Sequence, residues 1–279
     1  GVIAERYGRH VEALGWYEGA AEREPMNAHY LTAMAEMMVT LGRPMEALDM
    51  VRGRWPCFED NSAIRALAGQ IYMMLGRYEE ATNAFREASR ISPDDVMLKY
   101  QLGMALAVIK HHGEALTILQ SIVEGENEVS LSVYDTIGRC YMALNKPAEA
   151  KKAFQRAVET DPQHAVSHGY LCQVSVVTGD LFTARTAALE ALRLDPDNPD
   201  YGLLLGYVCW RQKDYPAAVS ALKRTLDQRP QELLGLYILT RCYQALGNHD
   251  AAQRCREEAL GMNSECEWAK DDEVRESAM

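Results

Sequence analysis

Histidines, paired carboxylates and cysteines are the residues of this chain with the means to do chemistry. His164 and His168 lie four apart at a helix start, a spacing at which one helical face could grip a metal. No third ligand stands near them. His111 and His112 are adjacent in a turn, and adjacent residues do not face one way on a helix. His10, His112 and His249 share a position with Tyr78 and Tyr215, which assigns their rings to packing across a turn. Glu79-Glu80, Asp94-Asp95 and Asp271-Asp272 read as helix-start or tail charges, and acids near helix N-termini favour the dipole. A general acid/base pair would need a cleft, and none is identifiable. The chain carries no G-x-G-x-x-G, no G-x-x-x-x-G-K-[ST], no G-x-S-x-G and no H-E-x-x-H. No catalytic residue, metal ligand set or cofactor is expected, and the chain reads as no enzyme.

The formal net charge of -11 disfavours nucleic acid, whose binders need a basic face, and disfavours anionic membrane surfaces. It mildly favours basic partners. A hydrophobic content of 48% places the chain among folded proteins. No apolar run of about 20 residues is present, so no membrane insertion is expected. The seven cysteines are an odd number without a CxxC pair. Five of them, Cys140, Cys172, Cys209, Cys242 and Cys255, fall inside predicted helices and read as buried thiols. That favours a reducing compartment, the cytoplasm, with the periplasm left open. The chain begins at Gly1 rather than Met, which points to a cut or processed chain.

The elements that must carry all this come from an internal repeat. Ala13, Ala47, Ala81, Ala115, Ala150, Ala184, Ala218 and Ala252 follow one another at gaps of 34, 34, 34, 35, 34, 34 and 34. Twelve residues before each stands a small residue: Gly1, Ala35, Gly69, Gly103, Gly138, Cys172, Gly206 or Thr240. Four after it stands a larger one in most repeats, such as Tyr17, Val51, Phe85, Leu119, Phe154 and Leu222, with Ala188 and Arg256 as exceptions. Twelve after it stand Pro25, Pro93, Pro162, Pro196 and Pro230. Small residues let two helices approach closely, and the large residue lies on the same helical stripe. Proline ends the second helix, since it cannot continue the hydrogen-bond ladder. Ser92-Pro93-Asp94-Asp95 and Asp195-Pro196-Asp197-Asn198 then supply turn and cap chemistry. Gly42 and Gly76 close first helices in the left-handed conformation, and Pro44, Pro147 and Pro216 open second ones.

These residues resemble the tetratricopeptide repeat family. Gly69, Tyr72, Leu75-Gly76-Arg77-Tyr78-Glu79-Glu80-Ala81, Phe85, Ala88 and Pro93 follow its consensus. The resemblance covers about residues 1–266 and implies an all-α fold, a right-handed α-solenoid of antiparallel helix hairpins. Residues 1–27 form a partial repeat. Seven full units follow: 28–61, 62–95, 96–130, 131–164, 165–198, 199–232 and 233–266. Residues 267–279 form a short cap and polar tail, the cap opening at Cys266-Glu267-Trp268-Ala269-Lys270. Gly1 falls mid-helix on the small column, from which further repeats before it, or a cloning remnant, are expected. The family's usual Trp near position four is missing; Leu31, Tyr134, His168 and Leu236 are among the residues there. Trp55-Pro56-Cys57-Phe58 should stop one second helix early, and unit 96–130 carries an extra residue near Glu124-Gly125-Glu126-Asn127.

The resemblance further implies that the first helices line a concave groove through positions two, five, nine, twelve and thirteen. The groove candidates are Met73, Tyr100, Met104, Arg139, Met142, Gln173, Tyr207, Trp210, Arg211, Tyr237, Arg241 and Gln244. Met74, Met97, Asp135, Val166, Val177 and Leu203 fall at the same positions. Packing between helices competes with groove exposure for Met74, Met97 and Met142. Methionine adapts to varied apolar partners, and Tyr, Trp and Arg are enriched in binding hot spots. Position five never holds Lys and position nine never holds Asn in the full units, which argues against a carboxylate-clamp adaptor. A scaffold for a protein or peptide with apolar anchors is the leading expectation. A recruiting arm of a larger enzyme and a homo-oligomer built through end repeats are the alternatives.

Overall fold

The computed structural model describes residues 1–126 and 128–263, together with Cys266 and Ala269. The described residues form sixteen α-helices and no strand. In chain order these are α1 (Val2–Arg6), α2 (His10–Arg23), α3 (Ala28–Thr40), α4 (Pro44–Gly53), α5 (Ser62–Met74), α6 (Tyr78–Ile91), α7 (Val96–Val108) and α8 (His112–Gly125). They continue with α9 (Leu131–Ala143), α10 (Pro147–Thr160), α11 (Ala165–Val177), α12 (Leu181–Leu194), α13 (Pro199–Arg211), α14 (Tyr215–Gln228), α15 (Leu233–Ala245) and α16 (His249–Met262). Odd-numbered helices are the first, or A, helices of hairpins, and even-numbered ones are the second, or B, helices. The chain divides into two compact units, residues 1–129 and 130–279.

Within each unit an A helix packs on its own B helix and on the B helix before it. Neighbouring A helices also touch, as α13 does with both α11 and α15. The eight column alanines from Ala13 to Ala252 are buried in every hairpin. The small column lies directly against the large one. A Cβ added to Gly69 would stand 2.7 Å from the Phe85 ring, and one added to Gly138 would stand 2.6 Å from Phe154. Phe85 and Phe154 are each only 1% exposed, so neither ring has room to yield. Where the small residue grows to Cys172, the large one shrinks to Ala188, and both are wholly buried.

All eight hairpins turn through one left-handed residue. Gly8, Gly42, Gly76, Gly179 and Gly247 supply it where glycine is present, and Lys110, Asn145 and Lys213 adopt it at φ 65°, 56° and 64°. At Gly76 the turn is closed by Arg77 N–H donating to the Tyr72 carbonyl at 2.9 Å, which satisfies a carbonyl the helix end would orphan. Asn27, Asn61, Asp95, Ser130 and Asn198 cap A helices; Asp180, Asp214 and Asn248 cap B helices.

The early stop after Gly53 has a visible cause. Arg54, where the other B helices place a small or apolar residue, is the C-cap of α4 and donates to the Pro25 carbonyl, and Pro56 two residues on cannot continue the hydrogen-bond ladder. Trp55–Cys57 form a 3-10 turn, and Arg65 lies over the Trp55 ring at 4.3 Å. Of the expected cap, Cys266 and Ala269 are described, and both are buried. Glu267, Trp268 and Lys270, the tail Asp271–Met279 with its acid pair, and Asn127 lie outside the described residues.

Candidate interaction face

Six of the groove candidates in residues 130–279 form one continuous side-chain run. On α13, Tyr207 and Trp210 meet edge to face with centroids 5.6 Å apart. Trp210 then reaches Tyr237 of α15, again edge to face, at 6.2 Å. Such pairs stabilise beyond the area they bury. Arg211 donates to the Tyr207 hydroxyl at 2.9 Å, with its guanidinium 5.7 Å from that ring's centre. One hairpin on, Arg241 repeats the arrangement over Tyr237 at 5.5 Å. Gln244 follows, accepting from Arg241 at 3.5 Å. The three rings are half-buried and the two arginines are exposed. Each ring packs in part against the core of its unit and is in part open to solvent.

The remaining candidates fall on the same repeat positions without joining that run. Position nine of successive A helices holds exposed Arg139, exposed Gln173, half-buried Tyr207 and exposed Arg241. Met142 is half-buried against the core of its unit. In residues 1–129, Met73, Tyr100 and Met104 are half-buried. Met74 and Met97 are 64% and 61% exposed, so both lie mostly at the surface rather than in the interhelix core. Val166 and Val177 are likewise exposed, and Leu203 is half-buried.

Asp135 departs from the groove expectation. Its carboxylate accepts from the Ser167 hydroxyl of α11 at 2.9 and 3.0 Å, and Ser167 meets His164 Nδ1 at 2.7 Å. Burial pushes the Asp135 carboxyl above its ordinary range, while the Ser167 bond and the nearby His164 and Arg139 pull it back. Ser167 is fully buried, so this Asp, Ser and His cluster tethers α9 to α11 and presents no nucleophile. His168 turns away to the Pro162 carbonyl at 3.0 Å, so the two histidines take separate partners. Among the described residues no group of three or more His, Cys, Asp or Glu could hold a metal ion. His10 and His112 are half-buried at their turns, whereas His249 is exposed.

All seven cysteines are free, and Cys57 alone among them is exposed. Burial pushes the Cys172 thiol up to about 12 and Cys242 up to about 11, which keeps both unreactive. A cavity of about 520 Å³ opens at the turns Gly76–Glu80 and Val108–Lys110. Arg77 and Glu80 in its wall are paired at 2.6 Å, and Glu79 and Lys110 add one charge of each sign. Phe182 and Leu189 of α12, outside the expected groove positions, are 80% and 48% exposed. Their spacing of seven, two turns along one face, was the signal available.

Family models described as tetratricopeptide repeat match residues 64–95, 132–164, 176–232 and 233–258. These segments fall on the hairpins α5–α6, α9–α10, α12–α14 and α15–α16. The chain belongs to the tetratricopeptide repeat family. Human tetratricopeptide repeat protein 7B is 27% identical over 127 residues, 46% of this chain and 15% of that protein. Human protein O-mannosyl-transferase TMTC1 is 25% identical over 170 residues, 60% of this chain and 19% of that protein. The chain therefore spans a small part of the length of these curated relatives. YrrB, described as a tetratricopeptide repeat protein with an unusual peptide-binding site, superposes with a TM-score of 0.64 at 17% identity, covering 69% of this chain and 99% of YrrB. That likeness concerns the fold. Among the described residues of this family member, no helix is long and apolar enough to cross a membrane.

Proposed function

We propose that this tetratricopeptide repeat chain is a protein-interaction scaffold that holds a partner segment on the A-helix face of residues 130–279. The observation that carries the reading is the half-exposed ladder of Tyr207, Trp210 and Tyr237, flanked by Arg211 and Arg241. Rigid aromatics offer large contact area at low entropic cost, and Trp, Tyr and Arg dominate binding hot spots. The chain itself acts without catalysis, in a reducing compartment that suits seven free thiols. Peptide binding in the YrrB structure and the hairpin fold common to both support the assignment.

A second reading is a recruiting arm of a larger enzyme. It is supported by the likeness to one stretch of an O-mannosyl-transferase. Under that reading the same face would present a substrate protein rather than a stable partner. The test is selection of peptides from a random display library on the chain and on a Trp210→Ala/Tyr237→Ala variant of equal helicity by circular dichroism. Peptides retained by the parent and lost by the variant are the expected result. Peptides retained equally by both would remove the A-helix face from consideration.

A further inference from the structure

Five Asp, Glu, Lys or Arg residues stand on the four A helices α9, α11, α13 and α15: Asp135, Arg139, Asp200, Arg211 and Arg241. The two acids are already occupied. Asp135 accepts from Ser167, and Asp200 pairs with Arg229 of α14's end at 2.5 Å. The three arginines have no carboxylate within 4 Å among the described residues. On the B helices of residues 130–279 most cations are paired. Lys151 meets Asp180 at 2.6 Å, Arg156 meets Glu159 at 2.9 Å, Arg185 meets Asp214 at 2.9 Å, and Arg193 meets Glu190 at 2.7 Å. Five B-helix cations thus have a carboxylate partner, Arg224 with Asp197 at 3.9 Å being the fifth, whereas Lys152, Lys223 and Arg254 have none within 4 Å among the described residues, and none of the three A-helix arginines has one. Arg139 and Arg241 share repeat position nine, and Arg211 adjoins the aromatic ladder. Only one described bond holds Arg211, to the Tyr207 hydroxyl, which leaves guanidinium donors for an outside acceptor.

We infer that the partner segment on this face is an acidic peptide, whose Asp or Glu side chains pair with Arg139, Arg211 and Arg241 and whose apolar or aromatic side chains pack on Tyr207, Trp210 and Tyr237. The inference rests on the A-helix face being the binding site. The net charge of -11 would favour basic partners at long range. At physiological salt, however, charges are screened beyond about 8 Å, so the local arginines decide what docks. Guanidinium and carboxylate form charge-assisted, bidentate bonds, and a guanidinium stacked on a tyrosine is held in place for them.

The experiment pans a random peptide library on the intact chain and resynthesises the retained peptides in three forms: as found, with Glu and Asp changed to Gln and Asn, and amidated at the C-terminus. Retained peptides should be acidic with at least one aromatic or large aliphatic residue. The Gln and Asn form should bind at least about tenfold more weakly, and the amidated form should bind as well as the original. An R139Q/R211Q/R241Q variant should lose the acidic peptides, and R139K/R211K/R241K should keep part of the affinity. Should the glutamine variant fold poorly, the Gln and Asn peptides on the parent chain decide. Gln and Asn peptides that bind equally well, yet are lost on Trp210→Ala/Tyr237→Ala, would overturn the acidic partner and leave the face standing. Peptides indifferent to both sets of substitutions, or no retained peptide, would overturn face and partner together. Loss of binding on amidation would reassign the arginines to a terminal carboxylate and overturn the side-chain source.

Discussion

Asp180 acts in two places at once. Its carboxylate accepts from Thr183 N–H at 3.1 Å, capping α12, and meets Lys151 of the preceding hairpin at 2.6 Å. Lys151 first, then Thr183, holds this carboxyl far below the usual carboxylate range. A folded-state value below the unfolded one gives stability that is full above the unfolded value, about 3.9, and is lost as pH falls below it. Asp180→Ala is expected to cost about 0.5–2 kcal/mol at neutral pH through the lost cap. That deficit should shrink in acid. Urea unfolding at neutral and acidic pH checks this, and a deficit independent of pH would refute it. The turn residues give a second prediction at this scale. Lys110 and Lys213 hold φ near +65°, a conformation in which a Cβ crowds the carbonyl. Lys110→Gly and Lys213→Gly should each raise stability by about 0.5–1 kcal/mol after the entropy of glycine in the unfolded chain is counted. Thermal melts measure it. Gly42 and Gly76 showed this turn in the sequence. Lys110 and Lys213 hid it, because nothing about lysine signals a left-handed residue.

Pairs of helices are specified by residues sixteen apart, one small and one large. The sequence displayed Gly69 with Phe85 and Gly138 with Phe154 as two separate columns in phase. It could not display that each glycine lies beneath its own phenyl ring, since that contact is made only when the hairpin closes. Gly138→Ala would ordinarily help a helix interior by about 0.5–1 kcal/mol. Here the new Cβ meets Phe154 at 2.6 Å in a site with no slack. The overpacking cost, about 1–3 kcal/mol, should win. The same substitution should cost less in a Phe154→Val background, which copies the pair Ala35 and Val51 found in another hairpin. A double-mutant cycle in urea reads the coupling; strict additivity would show that the two side chains do not compete. The interaction face was half legible for a related reason. Tyr207 with Arg211 and Tyr237 with Arg241 stand four apart in the sequence, so both pairs could be seen on their helices. The paired cations were legible only in part: Arg156 with Glu159 and Arg193 with Glu190 stand three apart on one helix, whereas Lys151 finds Asp180 and Arg185 finds Asp214 in the next hairpin.

At the scale of the whole molecule, a chain of hairpins that touch chiefly their sequence neighbours should spread damage locally. Phe154 is a large fully buried side chain of α10, and α10 packs on α9 and α11. Phe154→Ala should cost about 3–5 kcal/mol. Its effect on hydrogen exchange should be greatest in α9, α10 and α11 and should fade by α15 and α16. Phe85→Ala, in α6, makes a hole of the same kind five hairpins along the chain from α15. It should leave the protection of α13 and α15, and with it the ladder from Tyr207 to Tyr237, unchanged. Native-state hydrogen exchange on both variants separates the two cases. Equal loss of protection in every helix would mean that the repeats fold as one cooperative body, and the nearest-neighbour account would fail. The distinction bears on function. If coupling is local, the hairpins carrying the A-helix arginines can hold their ladder in place while distant hairpins open and close, and a partner that orders α13 and α15 should protect those helices before any others.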